Sequence, residues 1–186
     1  MKKIFLSVLT ILIVGVVGAA ILFTWRSAGN KPHVTVDAGK VVPASTYQTR
    51  VVPAGSKEYA NATYGFSLLY PQELSVTEYI EAADGHTISF DDPGTGEGLQ
   101  IYVVPYLDPQ ITQSRILLDT NGTATGTVQE IVIGNNIHAL HFSSYDPTRG
   151  ALSETWFIHN NYLYEVTTFQ ELDSWLAEIM KSWQFL

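Results

Sequence analysis

The first strong pattern along the chain is an unbroken apolar run. Lys2 and Lys3 precede "IFLSVLTILIVGVVGAAILFTW", Ile4 to Trp25, a stretch of 22 residues with no charge. At ~1.5 Å per residue such a helix spans about 33 Å, enough for the ~30 Å hydrocarbon core of a bilayer. Trp25 and Arg26 follow as an interfacial anchor. The pattern predicts a transmembrane anchor over residues 1–26. The alternative is a secreted chain released by signal-peptide cleavage, for which "VGAA", Val17 to Ala20, offers small residues. The apolar run continues past that point through "ILFTW", which favours the uncleaved anchor. Lys2, Lys3 and the amino terminus outweigh Arg26 and Lys31 only slightly. This bias puts the N-terminus in the cytoplasm and the rest of a single-pass cell-membrane protein outside it.

Residues 27–60 lose the long apolar period and gain Ala, Gly, Pro, Ser, Thr and Val, with "KVVPAS" (Lys40 to Ser45) echoed by "RVVPAGS" (Arg50 to Ser56). Proline pushes the residue before it out of helical geometry, so this region reads as a flexible linker with extended pieces. From Tyr64 onward the apolar positions alternate with period two. "YGFSLLYP" (Tyr64 to Pro71), "LSVTEYI" (Leu74 to Ile80), "HTISFDD" (His86 to Asp92) and "GLQIYVVPY" (Gly98 to Tyr106) read as strands. So do "TVQEIVI" (Thr127 to Ile133), "IHALHFSSY" (Ile137 to Tyr145), "ALSETWFIH" (Ala151 to His159) and "YLYEVTTF" (Tyr162 to Phe169). The separators "GNN", "DPTRG" and "NN" are too short for anything but antiparallel neighbours.

Two segments read as helices. "DPQITQSRILLD" (Asp108 to Asp119) offers Asp108 as N-cap and Pro109 as first helical residue. In "ELDSWLAEIMKSWQFL", Leu172, Trp175, Leu176, Ile179, Met180 and Trp183 fall on one helical face, and Thr168 with Glu171 has capping-box spacing. The stripe reads as packing against a sheet. Strand runs with helices placed on their faces predict an α+β domain over residues 61–186, an antiparallel β-sheet flanked by helices in an α/β/α sandwich.

Charge narrows the partners. From Asn61 onward three basic side chains (Arg115, Arg149, Lys181) face sixteen acidic ones, near −13 within a chain of net charge −8. Such a surface repels nucleic-acid phosphates and anionic headgroups, so no nucleic-acid partner is expected. With no cysteine in the chain, disulfides, thiol catalysis and lipidation at cysteine are excluded.

The densest candidate chemistry is "SFDDPGTGEGLQIYVV", Ser89 to Val104, which packs Asp91, Asp92 and Glu97 among Gly94, Gly96 and Gly98. A phosphate loop needs a Lys-Ser or Lys-Thr pair and a following helix, and here a strand follows. Calcium takes about six to eight oxygens, and EF-hand spacing is absent, so Asp91, Asp92 and Glu97 remain only weak metal candidates and calcium the one ion to consider. Alternating Ile88 and Phe90 before the loop, and Leu99, Ile101 and Val103 after it, make it a hairpin turn. His138 and His141 lie on opposite faces of one strand, which argues against a shared metal. No Gly-x-Ser-x-Gly elbow is present, and "HFSSYDP", His141 to Pro147, keeps His, Ser and Asp on a strand where neighbours diverge. No catalytic or cofactor-binding residue is assigned. Asn61-Ala62-Thr63 and Asn121-Gly122-Thr123 match the glycosylation triplet.

The segments "YGFSLLYPQELSV", "FDDPGTGEGLQIYVVPY", "TWFIHNNYLYEVTTF" and "WLAEIMKSWQF" resemble domains of the PsbP-like family, within a superfamily that includes Mog-type Ran-binding and bacterial DcrB-like proteins. The likeness rests on element order and aromatic placement from about Ala60 to Leu186. It implies an antiparallel sheet between helices and a non-enzymatic accessory or binding role, and it carries over no functional residue. The expectation is a membrane-tethered extracytoplasmic module that binds a protein. A divalent-cation module centred on the acidic loop is the alternative, and a hydrolase assembled from distant residues a further one.

Overall fold

The structure, a computed structural model, describes residues 50–81 and 84–186. The anchor expected over 1–26, and residues 27–49 of the linker, lie outside the described residues. Among the described residues no helix is long and apolar enough to cross a membrane.

Among the described residues ten strands form two sheets. β1 (Ser56–Asn61), β2 (Phe66–Pro71) and β10 (Gln184–Phe185) make a small sheet in the order β1-β2-β10. The large sheet runs β3-β4-β5-β9-β8-β7-β6. It contains β3 (Ser75–Ile80), β4 (His86–Asp91), β5 (Gly98–Pro105), β6 (Thr125–Ile133), β7 (Ile137–Asp146), β8 (Gly150–His159) and β9 (Tyr162–Phe169). All described neighbours pair antiparallel, as the short connections require. The β8–β9 reversal is made by Asn160 and Asn161, both at positive φ (48° and 64°), a two-residue turn whose twist suits the flanking strands. The β6–β7 turn opens on Gly134 at φ 46°, where an added Cβ would stand 1.9 Å from the Trp183 carbonyl oxygen.

Side-chain alternation gives the large sheet two different faces. On the inner face Ile88, Phe90, Ile101 and Val166 pack with Phe66 and Leu68 of the small sheet and Leu176, Ile179 and Met180 of α2 (Asp173–Met180). Trp183, just past α2, stacks on Phe66 with ring centroids 4.4 Å apart, so the expected apolar stripe is indeed core. The outer face carries a smaller cluster of Tyr106, Phe142, Trp156 and Leu163, closed by Ile116 from α1 (Gln113–Asp119).

The expected α/β/α sandwich is overturned. The described residues are β-rich, and the two α-helices among them have seven and eight residues. Each helical reading fails at its ends for a local reason. Asp108 and Pro109 do not start α1. Tyr106 donates its hydroxyl proton to the Gln110 carbonyl (2.9 Å), Ile111 packs into the outer cluster, and the cap is Thr112, whose Oγ1 accepts from the Arg115 amide (3.1 Å). The capping box at Thr168 does not form, because the Thr168 hydroxyl donates to the Gly98 carbonyl (2.7 Å). A 3-10 turn over Gln170–Leu172 leads into α2 instead, and Gln184 and Phe185 leave the helix to pair with β2. In the N-terminal part, Ser56 to Ala60 of the expected linker belong to β1, whose polar, largely exposed residues look like linker because only Asn61 is buried.

Candidate functional site

The acidic loop is a hairpin connection, with Asp91 opposite Gly98 in the β4–β5 register. Its three carboxylates have separate roles. Asp92 closes the turn: its Oδ1 accepts from the Gly94 (2.6 Å) and Thr95 (3.2 Å) amides. Glu97 is exposed, and its amide donates to Thr95 Oγ1 (3.1 Å). Asp91 has a buried Oδ1 with no hydrogen-bond partner among the described residues, and burial pushes its carboxyl up to about 6. Gly98 is fixed by packing, since a Cβ there would fall 1.8 Å from the Phe90 carbonyl oxygen. Among the described residues no group of three or more His, Asp or Glu side chains is arranged to hold a metal ion.

A second concentration of carboxyls lies on the outer face. The strand registers put Thr77, Ser89, Gln100, Thr167 and Glu154 side by side across β3, β4, β5, β9 and β8. Glu154 is buried, and both its oxygens are occupied. Oε1 accepts from Ser144 (2.6 Å), and Oε2 accepts from Thr167 (2.7 Å) and the Trp156 indole (3.2 Å). Burial raises its carboxyl, while those three donors and the charge of Arg149 pull it back. In the next row Glu165 lies opposite Tyr102 and Trp156. Burial, then the neighbouring Asp119 carboxylate, hold Glu165 well above the usual carboxylate range against the opposing Arg115. Arg115 pairs with Asp119 one turn along α1 and reaches Glu165 at 3.8 Å. Two carboxyls share one guanidinium, and the more buried of them, Glu165, has the raised proton affinity. The array ties α1 to the sheet, and Glu154 ties β7, β8 and β9 together.

The sequence reading missed this array. Its signal was a single acidic residue inside an apolar or hydroxyl-rich strand, Glu154 beside Trp156 and Glu165 beside Tyr164.

The histidines are dispersed. His138 and His141 sit at positions of opposite parity on β7, as alternation requires. His86 pairs with Glu78 (3.1 Å) on the first hairpin of the large sheet. His159 stacks on Phe185 at 3.5 Å, and burial lowers its pKa. It helps line an open depression of about 530 Å³ with Asn136, His138 and Ile158. His33 lies outside the described residues.

Serine chemistry is wired differently from a relay. The residues of "HFSSYDP" diverge: the Ser144 hydroxyl goes to Glu154, and Asp146 accepts from the Thr148 and Arg149 amides. A Ser, Asp and His do meet from distant positions. However, buried Ser153 donates to Asp173 (2.5 Å), while the His141 ring lies 3.5 Å from that same oxygen and 3.2 Å from Thr155 Oγ1. A nucleophile needs its base on the hydroxyl, and here the carboxylate holds it. Asn61 of the first glycosylation triplet is buried, with its carbonyl accepting from Thr63 and Tyr64 and its amide donating to Tyr59.

No protein-family model matches the chain, and no curated protein sequence matches it. Among solved structures it is similar to the solution structure of cyanobacterial PsbP (CyanoP) from Synechocystis sp. PCC 6803. That alignment covers 77% of this chain and 99% of the other, at 11% identity and a TM-score of 0.48.

Proposed function

We propose that the chain is a membrane-tethered extracytoplasmic module with no catalysis of its own, an accessory protein that binds a protein partner through acidic surface. The supporting observation is the charge left exposed by folding. Glu73, Asp84, Glu97, Asp108, Glu130 and Glu171 are exposed, with no basic side chain at ion-pair distance among the described residues. A surface with a large excess of one sign steers partners of the opposite sign and loses that attraction as salt screens it. The expected partner therefore presents a basic surface. Cross-linking in intact membranes, followed by capture at increasing ionic strength, tests this. A reproducible partner whose recovery falls as salt rises is the expected result. Repeated recovery of none, or a salt-independent partner, overturns it.

A second reading, a divalent-cation module, is favoured by one observation: in half-buried Asp91 the Oδ1 atom is buried without a hydrogen-bond partner among the described residues and the carboxyl is raised, beside Asp92, a placement that a cation would relieve. Calorimetry with calcium and with manganese decides it, and no heat at millimolar ion removes the reading.

A further inference from the structure

The large sheet ends on two unlike edges. β3 has six residues, and its Glu78, opposite Ile88 on the inner-face side, is tied down by the Tyr59 hydroxyl (2.8 Å) and by His86 (3.1 Å). A short edge strand with a fixed charge resists adding another strand. β6 is nine residues long, and no described strand pairs with its other side. Its first half is irregular, because the ladder slips register between Thr125 and Gln129, and a broken register disfavours regular pairing with an added strand there. The second half is regular. Gln129 to Ile133 pair one-for-one with His141 to Ile137, contain no proline, and carry one charge, Glu130. Val132 is 58% exposed on the outer side, while Ile131 and Ile133 turn toward the inner core.

We propose that the Gln129–Ile133 edge accepts an extended segment of a partner protein as an eighth strand, with a Lys or Arg of that segment beside Glu130. The inference rests on the binding reading above and names its surface and the chemistry of its occupant. An added strand would take its affinity from the open backbone groups of β6 and its selectivity from alternate side chains. Apolar residues on its inner side would extend the core beyond Ile131 and Ile133. A basic residue on the outer side would neutralise Glu130. Charge complementarity favours a basic segment over a second copy, since each copy brings the same strongly acidic surface.

The test uses the full chain in neutral detergent and a ten-residue synthetic peptide alternating Lys with Ile and Val. Three companions are the same peptide with Glu in place of Lys, and the Lys peptide N-methylated at alternate residues in each of the two phases. Hydrogen exchange read by mass spectrometry locates binding, and fluorescence anisotropy gives its strength. The Lys peptide is expected to slow exchange of the 129–133 amides and to bind at least tenfold more tightly than the Glu peptide. One N-methylated phase should lose binding. The variant Glu130→Lys, at an exposed position, should reverse the preference between the Lys and Glu peptides. Three results overturn the proposal: equal binding of both N-methylated peptides, protection confined to other strands, or the outward-pointing β6 amides, those not bonded to β7, already slow to exchange without peptide, the last meaning that a second copy or the chain's own N-terminal part covers the edge. If the peptides fail while a salt-sensitive membrane partner is still captured, only the edge assignment falls. If no partner is captured from membranes, the binding reading falls instead.

Discussion

Replacing Asp91 with Asn separates the energetic cost of one buried charge from everything else in the domain. Moving a carboxyl from 3.8 to about 6 corresponds to about 3 kcal/mol at 1.36 kcal/mol per tenfold change in proton affinity. Asp91 is only half-buried, so solvent screening reduces this to about 1–1.5 kcal/mol. Because the folded pKa lies above the unfolded one, the native state holds the proton more tightly. The stability contributed is complete below pH 3.8 and is lost as pH rises through about 6. Asp91→Asn cannot titrate. Relative to the native chain it should therefore gain about 1–1.5 kcal/mol between pH 4 and pH 8. Urea unfolding followed by tryptophan fluorescence at the two pH values measures this. With a slope of about 2 kcal/mol per M, the difference between variant and native midpoints should grow by roughly 0.5–0.7 M from the lower pH to the higher. A midpoint difference that does not change between pH 4 and pH 8 would refute the reasoning, because an effect of lost contacts alone carries no pH dependence.

Gly134→Ala should destabilise the domain by about 2–4 kcal/mol, since the residue sits at positive φ with a backbone oxygen where its Cβ would go; thermal unfolding by circular dichroism checks it, and a loss under 1 kcal/mol would contradict the packing described. His159 should titrate below its ordinary 6.5 in a proton NMR titration, because charging it costs desolvation against Phe185. Its folded pKa is depressed, so its contribution to stability is present above 6.5 and lost as pH falls through the lower folded value.

The strands were legible because alternation and turn chemistry are local. "YLYEVTTF" spans β9 end to end, and the Asn pair before it marks the tight turn. The helix ends were not, because tertiary partners claimed the capping groups: Thr168 bonds a strand carbonyl, and Ser182 accepts from the Leu69 amide (2.8 Å) beyond α2. β1 was hidden for another reason. An edge strand with one buried residue has the composition of a linker, and only its register with β2 reveals it. The acidic loop announced itself as a cluster in sequence. Glu154, Glu165 and Asp119 did not, because sheet register and one turn of α1 bring them together.

The small sheet joins the two ends of the described chain. The Gln184 side-chain Nε2 donates to the Ser67 hydroxyl (3.1 Å) across 117 positions of sequence, and Phe185 pairs with Phe66. Contacts of such high order form late, because a long loop must close before they contribute. The meander from β6 to β9, built from adjacent hairpins, can assemble on its own timescale. β2 and Trp183 are expected to cover its inner face only afterwards. Folding of this domain should therefore end with a clasp. Cleavage a few residues before Gln184 would leave that meander intact while exposing the aromatic surface that Trp183 and Phe185 cover.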